Sequence, residues 1–214
     1  PTLAELPGGQ DGAMTLLVLA SGSPRRRDLL GTLGIAFEVR STDVDETPVT
    51  GETAEELVRR LAVAKAEAGL AAASERPVVV LAADTLVSVD GEVLGKPVDE
   101  ADAARMLRLL SGSRHQVLTG VAVAASHGTA AMLAVEVETT HVHMAPWTDE
   151  QIAAYVASGE PMDKAGSYAI QEVGDRFVTQ IEGTFDNVVG LPLDRTRRML
   201  AEAGVDLPEA QPPE

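Results

Sequence analysis

The residues best suited to chemistry begin at Ser21-Gly22-Ser23-Pro24-Arg25-Arg26-Arg27, where the apolar run Leu16 to Ala20 gives way to small residues, a proline and three arginines. This pattern predicts a buried strand, a tight turn and a helix N-terminus, with Ser23 as cap. Pro24 suits the first helical position, where its missing N–H would have had no partner anyway. Backbone N–H groups, two hydroxyls and guanidinium groups then converge on one small volume, a site for a polyanion such as phosphate. A capped helix with a solvated basic turn is the plainer alternative. Asp84-Thr85 closes the run Val78 to Ala83, which reads as a strand buried on both faces. Ligands of open α/β sheets gather beyond the carboxyl ends of strands, so Asp84 can hold a metal or accept a proton. It could instead shape a turn.

Lysine usage points to further candidates. Of 17 basic residues, only Lys65, Lys96 and Lys164 are lysine. A chain that otherwise uses arginine can keep lysine where a compact ammonium is required, although biased base composition gives the same picture. Between Ser41 and Glu52 lies a loop carrying Asp43, Asp45 and Glu46; a loop carboxylate near phosphate is a natural metal ligand, or else part of a solvated acidic loop. Gln171 ends the stretch Asp163 to Gln171, read as a loop-to-strand transition, and its amide could read a base edge. His141 and His143 share one strand face; no third ligand is evident, and a surface strand is the simpler reading.

Elements must carry these groups. Thr53-x-x-Glu56 is a capping box opening a helix to about Ser74, with Lys65 eight residues beyond Leu57 at the edge of the apolar stripe. There it could snorkel to water or enter a cleft. Leu86 to Leu94 holds Asp90-Gly91, a hairpin signal that would return Lys96 beside Asp84. A strand is expected over Ile35 to Arg40 and a helix over Asp99 to Leu110. Strands follow at Gln116–Ala125 and Ala130–Met144, then a helix capped by Thr148 and a strand at Phe177–Glu182. Gly183 to Gly190 reads as a turn, and Leu191 to Ala203 as the last helix.

The chain has 214 residues, no cysteine and a formal net charge of −16. There is no disulfide framework and no thiolate metal site. The acidity argues against a nucleic-acid surface, so any phosphate site must be local and calls for a divalent cation. No segment approaches the about 20 apolar residues of a membrane span, and no signal peptide is recognised, so a cytoplasmic protein is expected. Residues 1–13 read as a disordered extension, 14–207 as one domain and 208–214 as a disordered tail.

Ser21-Gly22-Ser23-Pro24-Arg25-Arg26, Ala83-Asp84-Thr85, Gly95-Lys96-Pro97, Ser111-Gly112 with His115 and Thr119-Gly120, Lys164 to Gln171, and Val188-Val189-Gly190-Leu191-Pro192-Leu193 occur in this order. Together they resemble the Maf family of nucleoside triphosphate pyrophosphatases, from about Leu16 to Ala203. The resemblance implies an α/β fold: a mixed twisted sheet in two lobes, helices packed around it and a central cleft. It implies hydrolysis of a nucleoside triphosphate to monophosphate and diphosphate with Mg²⁺ or Mn²⁺, in a house-cleaning role, by a homodimer. By position it assigns Ser21, Arg25, Arg26, Glu46, Lys65, Asp84, Lys96 and Gln171 to the active site. Asp84 would be the proton acceptor, and Glu46 and Asp84 the metal ligands. Arg25, Thr85 and Gln171 match the branch that prefers dTTP and UTP; Phe185 stands where tyrosine is common. Two other classes stay open: a nucleotide-binding regulator of cell division with incidental hydrolysis, and a purine-directed pyrophosphatase of another fold.

Overall fold

The long apolar run governs the architecture of the computed structural model, which describes residues 15–73, 77–127 and 130–208, the side chains of 127, 130, 131 and 172–175 excepted. The expected extension 1–13 and all but the first residue of the tail 208–214 lie outside these residues. Strand β3, Val78–Val89, pairs antiparallel along most of its length with β5, Arg114–His127. Its other edge is divided. Val78 to Leu81 pair parallel with β1, Leu16–Leu19, whereas Val87 to Val89 pair antiparallel with β4, Glu92–Leu94. Between them, residues 82–86 have no strand on this edge among the described residues, and the sheet opens into two lobes. Strand β2, Glu38–Val39, lies outside β1; β6, Ala130–Met144, and β7, Val178–Glu182, extend the sheet beyond β5, giving the order β2-β1-β3-β5-β6-β7.

This topology corrects the reading of Asp84 as a strand end. β3 runs through it, because β5 and the β3–β4 hairpin supply backbone partners further on. Asp90 and Gly91 turn that hairpin with φ of 49° and 83°, the paired left-handed conformation of a type I′ turn. What ends nearby is β1, so Asp84 lies just past the parallel pairing, where ligands of such sheets collect.

Helix α1, Pro24–Gly31, starts where expected: the Ser23 hydroxyl accepts from Arg26 N at 3.4 Å. Helix α2, Ala54–Ala71, has both bonds of the Thr53–Glu56 capping box. It lies against one face of β3 and β5 at close range. A Cβ on Gly120 would sit 2.5 Å from the Val58 carbonyl oxygen, and one on Gly69 would sit 2.7 Å from Val80. The opposite face of this lobe packs Leu17, Leu19, Leu81 and Val121 against Leu191, Met199 and Leu200, the last two on α7, Leu193–Glu202. In the second lobe, α3 (Glu100–Leu110) and α4 (Asp149–Ala157) enclose a core with Leu94, Val142 and Trp147, the last stacked on Phe177 at 3.6 Å. No helix among the described residues is long and apolar enough to cross a membrane.

Other boundaries differ from expectation. The strand expected over 35–40 shrinks to two residues at the sheet edge. The transition ending at Gln171 consists of two short 3-10 turns, Glu160–Asp163 and Ala165–Ser167, followed by α5, Ile170–Phe177. The Gly183–Gly190 turn contains helix α6, Phe185–Val189, stopped by Gly190 at φ 123°. The last helix begins at Leu193, after extended Pro192, and the Leu193 N–H donates to Asp186 Oδ2 at 2.6 Å.

Candidate active site

A cleft of about 690 Å³ lies where the sheet opens, and every residue assigned to the active site by resemblance lines it: Ser21, Arg25, Arg26, Glu46, Lys65, Asp84, Thr85, Lys96 and Gln171. Strand alternation sorts these groups. Successive side chains of β3 point to opposite faces, so Asp84 faces α2 while Thr85 faces α1 and α6.

On the α2 side, Lys65 enters the cleft rather than snorkelling. Its Nζ lies 2.6 Å from Asp84 Oδ1 and 2.6 Å from Glu46 Oε1. Lys65 and Asp84 are each 8% exposed. The close seating of α2 at Gly69, one turn from Lys65, lets so short a reach suffice. Burial pushes the Glu46 carboxyl up, but the Lys65 hydrogen bond and the charges of Lys65, Lys96 and Arg26 outweigh it and hold Glu46 below its ordinary value. Asp45 instead accepts from Thr47 N within its own loop.

On the α1 side, Arg26 is held along one edge of its guanidinium: Nε donates to Gly190 O at 2.9 Å and Nη2 to Thr85 Oγ1 at 3.0 Å. Nη1 lies 3.4 Å from Ser21 Oγ, which also accepts from Ser23 N. Burial pushes the Arg26 pKa down, with Asp84 opposing the shift. Arg25 Nη1 reaches Asp163 Oδ2 at 3.3 Å, joining α1 to the 3-10 turn opposite. Lys164, the third lysine, bonds Asp163 Oδ1 at 2.8 Å and Glu160 O at 2.5 Å, so it ties that turn together. Gln171 is exposed at the start of α5.

The donor set fits a hard divalent cation. Glu46 and Asp84 supply carboxylate oxygens gathered on one ammonium, and Mg²⁺ is commonly held by one or two carboxylates plus substrate phosphates. Among the described residues no group of three histidine, aspartate or glutamate side chains could hold a metal alone. His141 and His143 are engaged elsewhere, with Gln116 at 3.1 Å and Glu182 at 2.9 Å.

Asp163 and the pair His115 and Tyr168 carry no role readable from the sequence, yet Asp163 and Tyr168 line the cleft. His115 is 1% exposed, and its Nε2 lies 2.8 Å from the Tyr168 hydroxyl. Burial lowers the His115 pKa from 6.5 to about 4. Between those values the unfolded chain binds a proton that the folded chain refuses, so stability rises with pH across the window. The gain is about 3 kcal/mol, from roughly 1.4 kcal/mol per pKa unit. Urea unfolding at pH 4.5 and pH 7 checks this: His115→Phe, which cannot titrate, should flatten that rise.

The sequence matches the Maf-like protein family over residues 16–203. A protein of Shewanella oneidensis named dTTP/UTP pyrophosphatase is 52% identical over 196 residues, covering 88% of this chain and 98% of that one. One of the same name from Anaeromyxobacter dehalogenans is 52% identical over 199 residues, 92% of this chain and 98% of that one. Among solved structures, a HAM1 protein from Coxiella burnetii aligns over 89% of this chain and 100% of its own at 20% identity, with a TM-score of 0.39. That likeness is too slight to build on.

Proposed function

This chain belongs to the Maf-like family, and on that footing we propose that it hydrolyses nucleoside triphosphates, dTTP and UTP foremost, to the monophosphate and diphosphate. The observation that carries the reading is one ammonium, Lys65, set 2.6 Å from both Asp84 and Glu46 in the same cleft as Arg25 and Arg26. One wall is built for a phosphate chain and the other for a proton and a cation.

In this reading Arg25, Arg26 and the N–H groups that open α1 bind the triphosphate. Lys65 and Lys96 offset the charge that develops on its oxygens. Asp84 accepts a proton from the attacking water, and the α–β linkage breaks with diphosphate leaving. Asp84 Oδ1 is bound to Lys65, which leaves Oδ2 for that proton. Glu46 and Asp84 would hold a divalent cation, which when bound reduces the negative charge on the phosphate oxygens. Arg25 and Gln171 would meet the base, and Thr85 would act with them. The homodimer and cytoplasmic location implied by the resemblance belong to the same reading, and sedimentation velocity tests the first.

Diphosphate release from dTTP, UTP, CTP, 5-methyl-UTP, 7-methyl-GTP and ITP with Mg²⁺ tests the substrate class. The highest kcat/KM is expected for dTTP and UTP. A preference for ITP would overturn the base assignment, and binding without turnover would favour a regulatory role.

A further inference from the structure

Beneath Arg26 a buried chain of small polar groups runs away from the cleft. Thr85 and Thr119 stand directly opposite each other on β3 and β5, with their hydroxyl oxygens 2.9 Å apart. Thr119 Oγ1 lies 3.1 Å from the main-chain oxygen of Asn187, on α6. Both Thr119 and Asn187 are 0% exposed. The Asn187 side chain is anchored in turn, its Nδ2 donating to Val117 O at 3.1 Å and to Thr140 Oγ1 at 2.9 Å.

We infer that Thr119, which does not line the cleft, is a positioning residue: acting through Thr85, it fixes the direction of the Arg26 guanidinium. A threonine hydroxyl has one hydrogen to give. The Asn187 carbonyl oxygen can only accept, so the Thr119 hydrogen goes there. Thr119 must then accept from Thr85, and Thr85 meets Arg26 Nη2 purely as an acceptor. With Gly190 O on Nε, the Nε–Nη2 edge of the guanidinium is clamped; Nη1 touches Ser21 Oγ at 3.4 Å, and the remaining hydrogens of Nη1 and Nη2 are those a ligand can meet. Without the Thr119 hydroxyl, the Thr85 hydrogen would turn to its other acceptor, Gly190 O at 3.5 Å. It would share that oxygen with Arg26 Nε, and the turn of the hydroxyl would swing the Thr85 lone pairs away from Nη2 and loosen the clamp. Gly190 permits this close meeting: a Cβ would approach Thr85 Oγ1 to 3.4 Å at a φ of 123° that side chains avoid.

The inference rests on reading the cleft as a triphosphate site, and its test separates the two. Affinity for inorganic triphosphate, measured by calorimetry, and kcat/KM for dTTP are compared in wild type, Thr119→Val and Thr119→Ser, each also in an Arg26→Lys background. Thr119→Val should lose about tenfold in both quantities, and Thr119→Ser should stay within about twofold of wild type. In the Arg26→Lys background, where no fork remains to be aimed, Thr119→Val should cost less than about twofold. The same loss in both backgrounds, or equal impairment of the Val and Ser variants, would reduce Thr119 to a packing residue and overturn the inference. A wild type that turns over dTTP with no Thr119 effect overturns it alone. The full affinity pattern without dTTP turnover supports it while overturning the functional reading.

Discussion

Asp84→Asn should lower kcat for dTTP by about 10³-fold, the range set by loss of a general base. Its thermal midpoint should stay close to that of wild type. The separation follows from the geometry of Lys65. Asparagine keeps an oxygen where Asp84 Oδ1 now accepts from Nζ, and the ammonium retains Glu46 at 2.6 Å. The substitution therefore removes a proton acceptor without stranding a buried charge. Turnover and thermal unfolding on one preparation check both halves. Retention of more than a tenth of wild-type turnover would mean that another group takes the proton.

Lys65→Met is the mirror case and should damage both properties. It leaves Asp84, 8% exposed, beside Glu46 with their shared cation gone. Removing one partner of a buried ion pair costs roughly 3–5 kcal/mol. Activity should fall by at least about 10²-fold, since two repelling carboxylates then face an incoming polyanion. The stability loss carries a pH signature. In wild type, the Glu46 carboxyl titrates below its ordinary 4.5; its contribution is complete above that value and is lost as pH falls through the lower folded one. In the variant, the two carboxylates repel each other with no cation between them, so ionising them penalises the folded state as pH rises. The gap between wild type and variant should widen from pH 4 to pH 7 in denaturant unfolding. A gap independent of pH would mean that Lys65 contributes packing rather than charge.

Local signals were legible where the chemistry of a cap or turn is written in adjacent residues. Ser23-Pro24, the Thr53–Glu56 box and Asp90-Gly91 each fix backbone geometry by their own hydrogen bonds or φ values, and each appears as expected. Asp84 lines the cleft, but its local sequence reads as a strand end whereas β3 runs on through it. Whether β3 continues past it depends on pairing with the adjacent β4 hairpin and with β5, which begins about 30 residues on. Lys65 was ambiguous because its position at the edge of a helical stripe permits either outcome. The choice is made by Gly69 and Gly120, which admit α2 close to the sheet. Helix α6 leaves no sequence signal, because five residues between glycines show no periodicity. The Arg25–Asp163 contact spans 138 residues and leaves no local trace. Thr119 and Asn187 are ordinary residues for a strand and a turn, and only their convergence beneath Arg26 gives them a part.

The central claim is that this cleft cuts a nucleoside triphosphate between its α and β phosphates. The most direct test is ³¹P spectroscopy of dTTP incubated with the protein and Mg²⁺, read for products rather than for rate. The account predicts dTMP and diphosphate in equal amounts, with neither appearing when Asp84→Asn replaces wild type over the same interval. Formation of dTDP and orthophosphate would place the attack at the terminal phosphate and contradict it.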